Sequence, residues 1–266
     1  MTDGINKVIE LIQKSDKILI GIGEEFSCEM IDLTDSNAYQ AYLNKKSVGI
    51  LNEDEWIIEH IKNYHINSEL NLDTFRIFRA YQKLFELIRE KDYYIVNMNL
   101  DSLLKRAGFL DKRVVYPCGT KSLYQCSNNC SNLVWENAEI EYQIIQNIFN
   151  KNIRLSEIER PLCENCGRPA IYNTVGVYGY CESGYLDRWS DYTQWIAHSL
   201  NRSICVLELG VGFKYPTVIR WPFEKITFIN NNAHLIRINE KWNQVSEELT
   251  NKAITIKENA VNFLIK

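Results

Sequence analysis

The chain has 266 residues, of which 45% are hydrophobic and 24% are charged, the composition of a globular protein with a substantial core. A net charge of -4, without a stripe of lysines or arginines, argues against nucleic-acid binding. Charges at Asp3, Glu10 and Lys14 interrupt the apolar run that a signal peptide needs, and no apolar run is long enough to span a bilayer. We therefore expect a cytoplasmic protein with no membrane partner. In that compartment its eight cysteines would be thiols or metal ligands.

Hydrophobic residues recur at helical or strand spacing along the first part of the chain. In chain order they predict a helix, a strand that stops at Gly21, a long helix, a second strand, a short helix ended by Gly108, and a third strand. The predicted ranges are 5–14, 17–20, 73–90, 93–97, 103–107 and 113–116. Residues 27–71 are polar and irregular, with one amphipathic stretch over 56–64 that is compatible with a helix.

The stretch from 118 to about 173 is rich in cysteine and contains a predicted helix over 140–149. The segments predicted beyond it are a helix at 186–200, strands at 204–209, 225–230, 235–238 and 253–256, and a helix at 260–265. Strands separated by helices predict an α/β fold, here a Rossmann-like parallel sheet with helices on both faces. We expect this domain to be formed by 1–117 and 176–266, with a small zinc-binding module at 118–175 inserted between its two parts.

Four cysteines have the spacing of a metal site. Cys126 and Cys130 form a CxxxC pair, and Cys163 and Cys166 form a CxxC pair. Two such turns supply the four thiolates of a tetrahedral zinc ion, which leaves no open position and therefore implies a structural role. The alternative is that they are ordinary buried thiols. The other four cysteines show no paired spacing and are Cys28, Cys118, Cys181 and Cys205.

The order of several motifs resembles the core of the sirtuins. The segment VNMNLDSLLKRAGF, residues 96–109, is followed by YPCG and the paired cysteines. In sirtuins a TQNID motif, a helix ending in RAG and an HG pair precede the zinc cysteines in the same order. LELGVGFKYPTVIRWPF from Leu207 and LIRIN ending at Asn239 resemble the family's last nucleotide-binding loop and its ribose-contacting asparagine. ITIKENAVNFL resembles the closing strand and helix.

The likeness is greatest to the class M sirtuins, the microbial, macrodomain-linked branch. Their YTQGDYGLWQCSxPC resembles YPCGTKSLYQCSNNC here, and LELGVG followed by PxxIxxPF is shared. The resemblance covers roughly Phe75 to the end. It implies an NAD-binding domain, a zinc module and transfer of ADP-ribose from NAD to an acceptor protein, in that branch a lipoylated glycine-cleavage carrier. A lipoylated carrier and a macrodomain protein are thus candidate partners.

Single residues carry over from the sirtuin motifs. Asn99 and Asp101 match the pair that lies against the nicotinamide ribose and carboxamide, although alone they would equally suit the start of a helix. Gly210 and Gly212 match the family's late glycine loop, whose backbone amides approach a phosphate. Asn239 matches the asparagine that holds the adenosine ribose, although alone it would suit a turn. The residues implied to bind the cofactor are Gly21, Gly23, Asn99, Asp101, Gly210, Val211, Gly212 and Asn239.

Three positions depart from the family pattern. Cys118 replaces the histidine base of deacetylases and the glutamine of class M, and a neutral thiol is a poor base, so we predict no histidine-dependent deacetylation. Glu24 and Glu25 alter the first glycine loop: pointing inward they would repel a phosphate, while pointing outward, which we favour, they would form a solvated helix start. No arginine lies between Gly23 and Arg76, where the family carries one.

Two functions remain open from the sequence. The first is class M ADP-ribosyl transfer, with Asn99, Asp101 and Cys118 as the predicted catalytic residues; Cys118 would be a redox-sensitive thiol or an acceptor, unless it is an ordinary loop cysteine. The second is a pseudoenzyme that binds NAD, ADP-ribose or a protein without turnover. NAD hydrolysis without transfer is a third outcome.

Overall fold

The computed structural model describes residues 2–46 and 55–266. Its strands are β1 Lys17–Ile22, β2 Asp92–Asn97, β3 Val114–Val115, β4 Gly119–Cys126, β5 Val134–Glu136, β6 Ala170–Thr174, β7 Ile204–Leu209, β8 Ala233–Ile238 and β9 Ala253–Ile256. Six of them form a parallel sheet in the order β3-β2-β1-β7-β8-β9. The chain therefore leaves β1 toward β2 on one side and later returns to β7 on the other, which makes the β1–β7 junction the switch point of the sheet.

Helices cover both faces of this sheet, as predicted. The helices are α1 Thr2–Lys14, α2 Asn37–Lys45, α3 Glu55–Tyr64, α4 Arg76–Ile88, α5 Leu103–Arg106, α6 Ala138–Phe149, α7 Ser183–Ala197, α8 Arg220–Ile229 and α9 Ala260–Leu264. Successive strand residues point to opposite faces. Ile18 and Ile20 of β1 accordingly pack with α1, α4 and α9, while Leu19 packs with α7 and α8. The predicted α/β fold class is confirmed.

A second sheet lies between the two halves of the first one in the chain. Strands β4, β5 and β6 are antiparallel in the order β5-β4-β6, and α6 connects β5 to β6. The buried faces of α2 and α3 pack on α6 through Tyr42, Ile61 and Ile148. The domain boundaries at 118 and 175 remain a prediction. Among the described helices, none has both the length and the apolarity that crossing a bilayer requires.

The predicted strand at 225–230 is wrong, because residues 225–229 belong to α8 and Asn230 is its C-cap. The sequence KITFIN has strand propensity, but Ile219, Phe223 and Thr227 recur at four-residue spacing and are all buried. The Thr227 hydroxyl donates a hydrogen bond to the Phe223 carbonyl at 2.8 Å, which satisfies it within the helix. Packing of this stripe on the sheet overrides the local propensity.

Candidate functional site

The loops that follow β1, β2 and β7 meet at the carboxyl edge of the parallel sheet. They line a cavity of about 350 Å³ together with Cys118 and Lys121, and a neighbouring cavity of about 440 Å³ continues along the β7 loop. Ligands of open parallel sheets bind at this edge, beside the switch point of strand order. The two cavities are therefore the candidate site.

Asn99 is held in place by the ends of two strands. Its side-chain amide donates to the Gly23 carbonyl and to the Asn97 Oδ1 atom, both at 3.1 Å, and Asn97 Oδ1 also accepts from the Asn99 backbone amide at 3.1 Å. All of Asn97 and nearly all of Asn99 is buried. These bonds fix the Asn99 side chain beside the loop after β1.

Asp101 has one satisfied and one unsatisfied oxygen. Its Oδ1 atom accepts from the Leu103 amide at 3.0 Å at the start of α5, so the capping role considered from the sequence is present. Its Oδ2 atom is buried and has no hydrogen-bond partner among the described residues. Burial raises the pKa of Asp101 to about 6, although the Leu103 amide and the charge of Lys121 act in the opposite direction. The carboxylate is thus mostly ionised at neutral pH and lines the first cavity.

Gly21 and Gly23 are required by packing inside the protein. A Cβ atom at Gly21 would lie 2.9 Å from a ring carbon of Phe223, and one at Gly23 would lie 2.5 Å from the Gly210 carbonyl oxygen. Gly21 therefore packs directly against the Phe223 side chain of α8, and Gly23 lies where the two glycine loops approach too closely for any side chain. Their contact with a cofactor therefore remains a prediction.

The late glycine loop contacts both glutamates of the first loop. The Gly212 amide donates to Glu24 Oε2 at 2.7 Å. A Cβ atom at Gly210, where φ is +65°, would lie 2.5 Å from the Glu25 Cβ atom. The carboxylate of Glu25 accepts from the amides of Glu240 at 2.9 Å and Ala260 at 2.6 Å.

The favoured interpretation that both glutamates point outward is therefore wrong. Free backbone amides at the carboxyl edge of the sheet attract the carboxylates inward. Burial raises the pKa of Glu25, while its bonds to the Ala260 and Glu240 amides oppose this shift.

Asn239 and Val211 connect the late glycine loop to the loop after β8. Asn239 Oδ1 accepts from the Lys241 and Trp242 amides at 2.8 and 2.6 Å, and its Nδ2 donates to the Val211 carbonyl at 3.2 Å. The turn role considered from the sequence is thus present. Asn239 also lines the second cavity, where a ribose contact remains a prediction.

Cys118 is buried in the wall of the first cavity. Burial raises the pKa of its thiol to about 11, and the nearby charge of Lys214 only partly opposes this. A thiol that is neutral at physiological pH is neither a base nor a strong nucleophile. Its chemical role remains a prediction.

The four paired cysteines come together at one end of the small sheet. Their sulfur atoms all lie within 4.8 Å of one another, with Cys126 and Cys166 at 3.5 Å and Cys130 and Cys163 at 3.6 Å. These separations are too long for disulfides and approach the roughly 3.8 Å expected between sulfurs that each lie about 2.3 Å from one tetrahedral zinc ion. The donor set fits the structural zinc that the spacing predicts.

Two cavity residues, Lys121 and Lys214, and the buried Asn97 that positions Asn99 were missed from the sequence. Lys121 lies on β4, where its ammonium contacts the Glu59 carboxylate at 2.8 Å, and Lys214 follows the late glycine loop. Both lie within segments that resemble sirtuin motifs, but the resemblance assigns neither of them a role. Asn97 left a detectable signal, because an asparagine at the end of an otherwise apolar buried strand marks the carboxyl edge of a sheet.

The whole chain superposes on solved structures of Sir2 enzymes. One gives a TM-score of 0.55 at 17% identity, and the match covers 100% of this chain and 96% of that one. A structure concerned with sirtuin substrate affinity gives 0.55 at 16% identity, over 98% and 96% of the two chains. The fold is that of the sirtuins. A Sir2 homologue solved in complex with NAD shares this fold with a TM-score of 0.52 at 13% identity, over 98% and 91% of the chains.

Curated proteins with similar sequences carry related names. A protein ADP-ribosyltransferase of Staphylococcus aureus (strain Mu50 / ATCC 700699) is 22% identical over 184 residues, 68% of this chain and 57% of that protein. A probable bifunctional ADP-ribose hydrolase/ADP-ribosyltransferase of Fusarium oxysporum f. sp. cubense is 27% identical over 185 residues, 64% of this chain and 31% of that protein. The match thus spans less than two thirds of either relative. No family model matches the chain.

Proposed function

We propose that this chain is an NAD-dependent protein ADP-ribosyltransferase of the class M sirtuin type. The observation that carries the proposal is the convergence of Asn99, the buried Asp101 and the 210–212 loop on two neighbouring cavities that share Glu24 and Lys214. The sirtuin fold and the similarity to proteins named as ADP-ribosyltransferases support the same class of reaction.

The residues of the first cavity fit the nicotinamide riboside end of a dinucleotide, which is the end that would react. Asp101, whose Oδ2 atom is buried and unpaired, lines a cavity of about 350 Å³, within the size range of small-molecule sites. Its polar partners would be the ribose hydroxyls and the carboxamide of a bound nicotinamide riboside. At the other end the Gly212 amide contacts Glu24, whose partly buried side chain has three rotatable bonds and would leave this amide by side-chain rotation alone.

NAD supplies the ADP-ribosyl group, whose bond to nicotinamide breaks while an acceptor nucleophile takes the ribose carbon. The protein contributes position and electrostatics. Asn99, fixed by its bonds to Gly23 and Asn97, would orient the nicotinamide ribose. Ionised Asp101 would accept hydrogen bonds there and stabilise the positive charge that develops on the ribose as the bond breaks. The apolar walls at Met98 and Val175 would keep water from the reacting carbon.

The proposal also includes an acceptor protein, a further partner and a cellular compartment. A lipoylated carrier protein is the acceptor suggested by the class M resemblance, with a macrodomain protein as a further partner and the cytoplasm as the compartment. The zinc ion would stabilise the small sheet that supports Lys121 and Cys118. Because Cys118 is a neutral buried thiol, histidine-type base catalysis of deacetylation is disfavoured.

Incubation with radiolabelled NAD and a lipoylated carrier protein tests the proposal. We expect label on the carrier with wild-type protein and none with the Asp101→Asn variant. The unlipoylated carrier and a reaction without carrier serve as controls. Free nicotinamide without labelled protein would instead identify an NAD hydrolase.

The second candidate is a pseudoenzyme that retains the fold without turnover. It is favoured by one observation, the occupation of the Gly212 amide by Glu24. Calorimetry with NAD distinguishes a form of the pseudoenzyme that binds no NAD, whereas the transfer assay above distinguishes one that binds NAD without turnover. An absence of binding at millimolar NAD, in protein that contains stoichiometric zinc, would favour the pseudoenzyme.

A further inference from the structure

Glu24 occupies a position where an anion is expected. Gly212 lies in the loop that follows β7, at the switch point of the sheet, and its amide donates to Glu24 Oε2 at 2.7 Å. Backbone amides in a glycine loop at this place are suited to phosphate oxygens. A carboxylate and a phosphate accept the same hydrogen bonds, so only one of them fits at this amide at a time.

The contact of Glu24 is incompletely satisfied. Its Oε1 atom is buried without a hydrogen-bond partner among the described residues. The neighbouring Glu25 differs, since its two oxygens accept from the Glu240 and Ala260 amides. A buried carboxylate oxygen without a donor is unfavourable. Glu25 is therefore a fixed structural residue, whereas Glu24 is the one that an external anion can replace.

Lys214 supplies a counter-charge at the same place. It lines both cavities, as Glu24 does, and it lies two residues beyond Gly212. Its exposed ammonium forms no salt bridge with a described residue and lies 5.6 Å from the Tyr215 ring centre. A lysine without a counter-ion beside a loop amide complements an anion larger than a carboxylate.

We propose that Glu24 is an internal substitute for phosphate: its carboxylate holds the Gly212 amide in the free protein, and the diphosphate of a bound nucleotide replaces it and pairs with Lys214. This inference rests on the proposed function, because it requires a dinucleotide in the cleft. It gives the two residues opposite effects on affinity. Glu24 weakens nucleotide binding by competition and repulsion, and Lys214 strengthens it.

Titration calorimetry with ADP-ribose tests both effects. Glu24→Gln keeps an oxygen that accepts from Gly212 but removes the charge, and we expect it to tighten binding about tenfold. Lys214→Gln should weaken binding about fivefold. The matched controls are Glu159→Gln and Lys151→Gln, which make the same charge changes at exposed residues that line neither cavity. They should change affinity less than about twofold.

Adenosine, which lacks phosphate, provides the second comparison. Its affinity should be the same for wild type and Glu24→Gln, because it does not approach the Gly212 amide. Binding of ADP-ribose by wild type with no gain in Glu24→Gln, or an equal gain in Glu159→Gln, would overturn the inference and leave the proposed function standing. Failure of both wild type and Glu24→Gln to bind millimolar ADP-ribose would overturn the inference and the proposed function together.

Discussion

The carboxylate of Glu25 accepts a hydrogen bond from the Ala260 amide at 2.6 Å and thereby joins the loop after β1 to the start of the last helix, α9. The same carboxylate accepts from the Glu240 amide after β8. One side chain thus joins three segments that are far apart in sequence. The edge of the sheet that forms the cleft depends on this contact.

Replacement of Glu25 by alanine should destabilise the fold. The buried Ala260 amide would lose its partner, and we expect a loss of about 2 kcal/mol in the free energy of unfolding. Chemical denaturation measures this. Glu29→Ala, which removes a carboxylate from an exposed position of the same loop, should change stability by less than about 0.5 kcal/mol. Equal stabilities of the two variants would show that the Glu25 contacts contribute nothing.

Asp101→Asn should make the protein more stable at neutral pH and inactive in transfer. Burial raises the pKa of folded Asp101 from 3.8 to about 6, so folded wild type holds this proton more tightly than unfolded wild type. Wild type therefore loses stability as pH rises from about 4 to about 6, and asparagine avoids this loss. The variant keeps the oxygen that caps Leu103.

The measurement is denaturation of both proteins across this pH range. The stability difference should be near zero below about pH 4 and reach about 1 to 3 kcal/mol above pH 6. A variant that is less stable at pH 7, or a difference that does not depend on pH, would contradict the role given to the unpaired oxygen.

The purified protein should contain one zinc ion per chain. Cys126→Ser and Cys163→Ser each remove one of the four clustered sulfurs, and both should lose the metal and unfold the small sheet. Metal analysis and circular dichroism give the two readouts. Cys181→Ser is the matched control, because Cys181 lies outside the cluster and its contact with the Ser183 hydroxyl is one a serine can also make. Wild type without zinc, or zinc retained in Cys163→Ser, would refute the site.

Gly23→Ala tests whether packing or cofactor contact requires this glycine. The added methyl would lie 2.5 Å from the Gly210 carbonyl, and such overpacking should cost about 1 to 3 kcal/mol of stability. Gly4→Ala, in α1, meets only Ile256 at 3.9 Å and should be neutral or stabilising. If Gly23→Ala were as stable as wild type and failed only in NAD binding, the packing explanation would be wrong.

Local patterns predicted the sheet and the metal site well. The paired cysteines and the short apolar strands carry their information within a few residues, so Cys126, Cys130 and β1 were read from sequence alone. The order of motifs around Asn99 identified the family fold. Asn99 and Asp101 line one cavity with Cys118, but their roles in catalysis remain predictions.

Structural features that depend on residues far apart in the sequence could not be predicted from it. The Glu24 carboxylate meets an amide 188 positions away, and the Glu25 carboxylate meets one 235 positions away, so nothing near either residue indicated an inward orientation. Strand β4 pairs with β6 across the cysteine stretch, and its antiparallel sheet was not predicted. The helix over 225–229 was mistaken for a strand for the same reason, because the sheet beneath it determines which of its faces is buried.

Hydrogen–deuterium exchange with and without NAD tests most directly whether the cleft at the carboxyl edge of β1, β2 and β7 holds the cofactor. We predict slower amide exchange over residues 97–101 and 210–214 when NAD is present, and unchanged exchange around the cysteine cluster. Saturating NAD that protects neither segment, or that protects only residues remote from both cavities, would contradict the account.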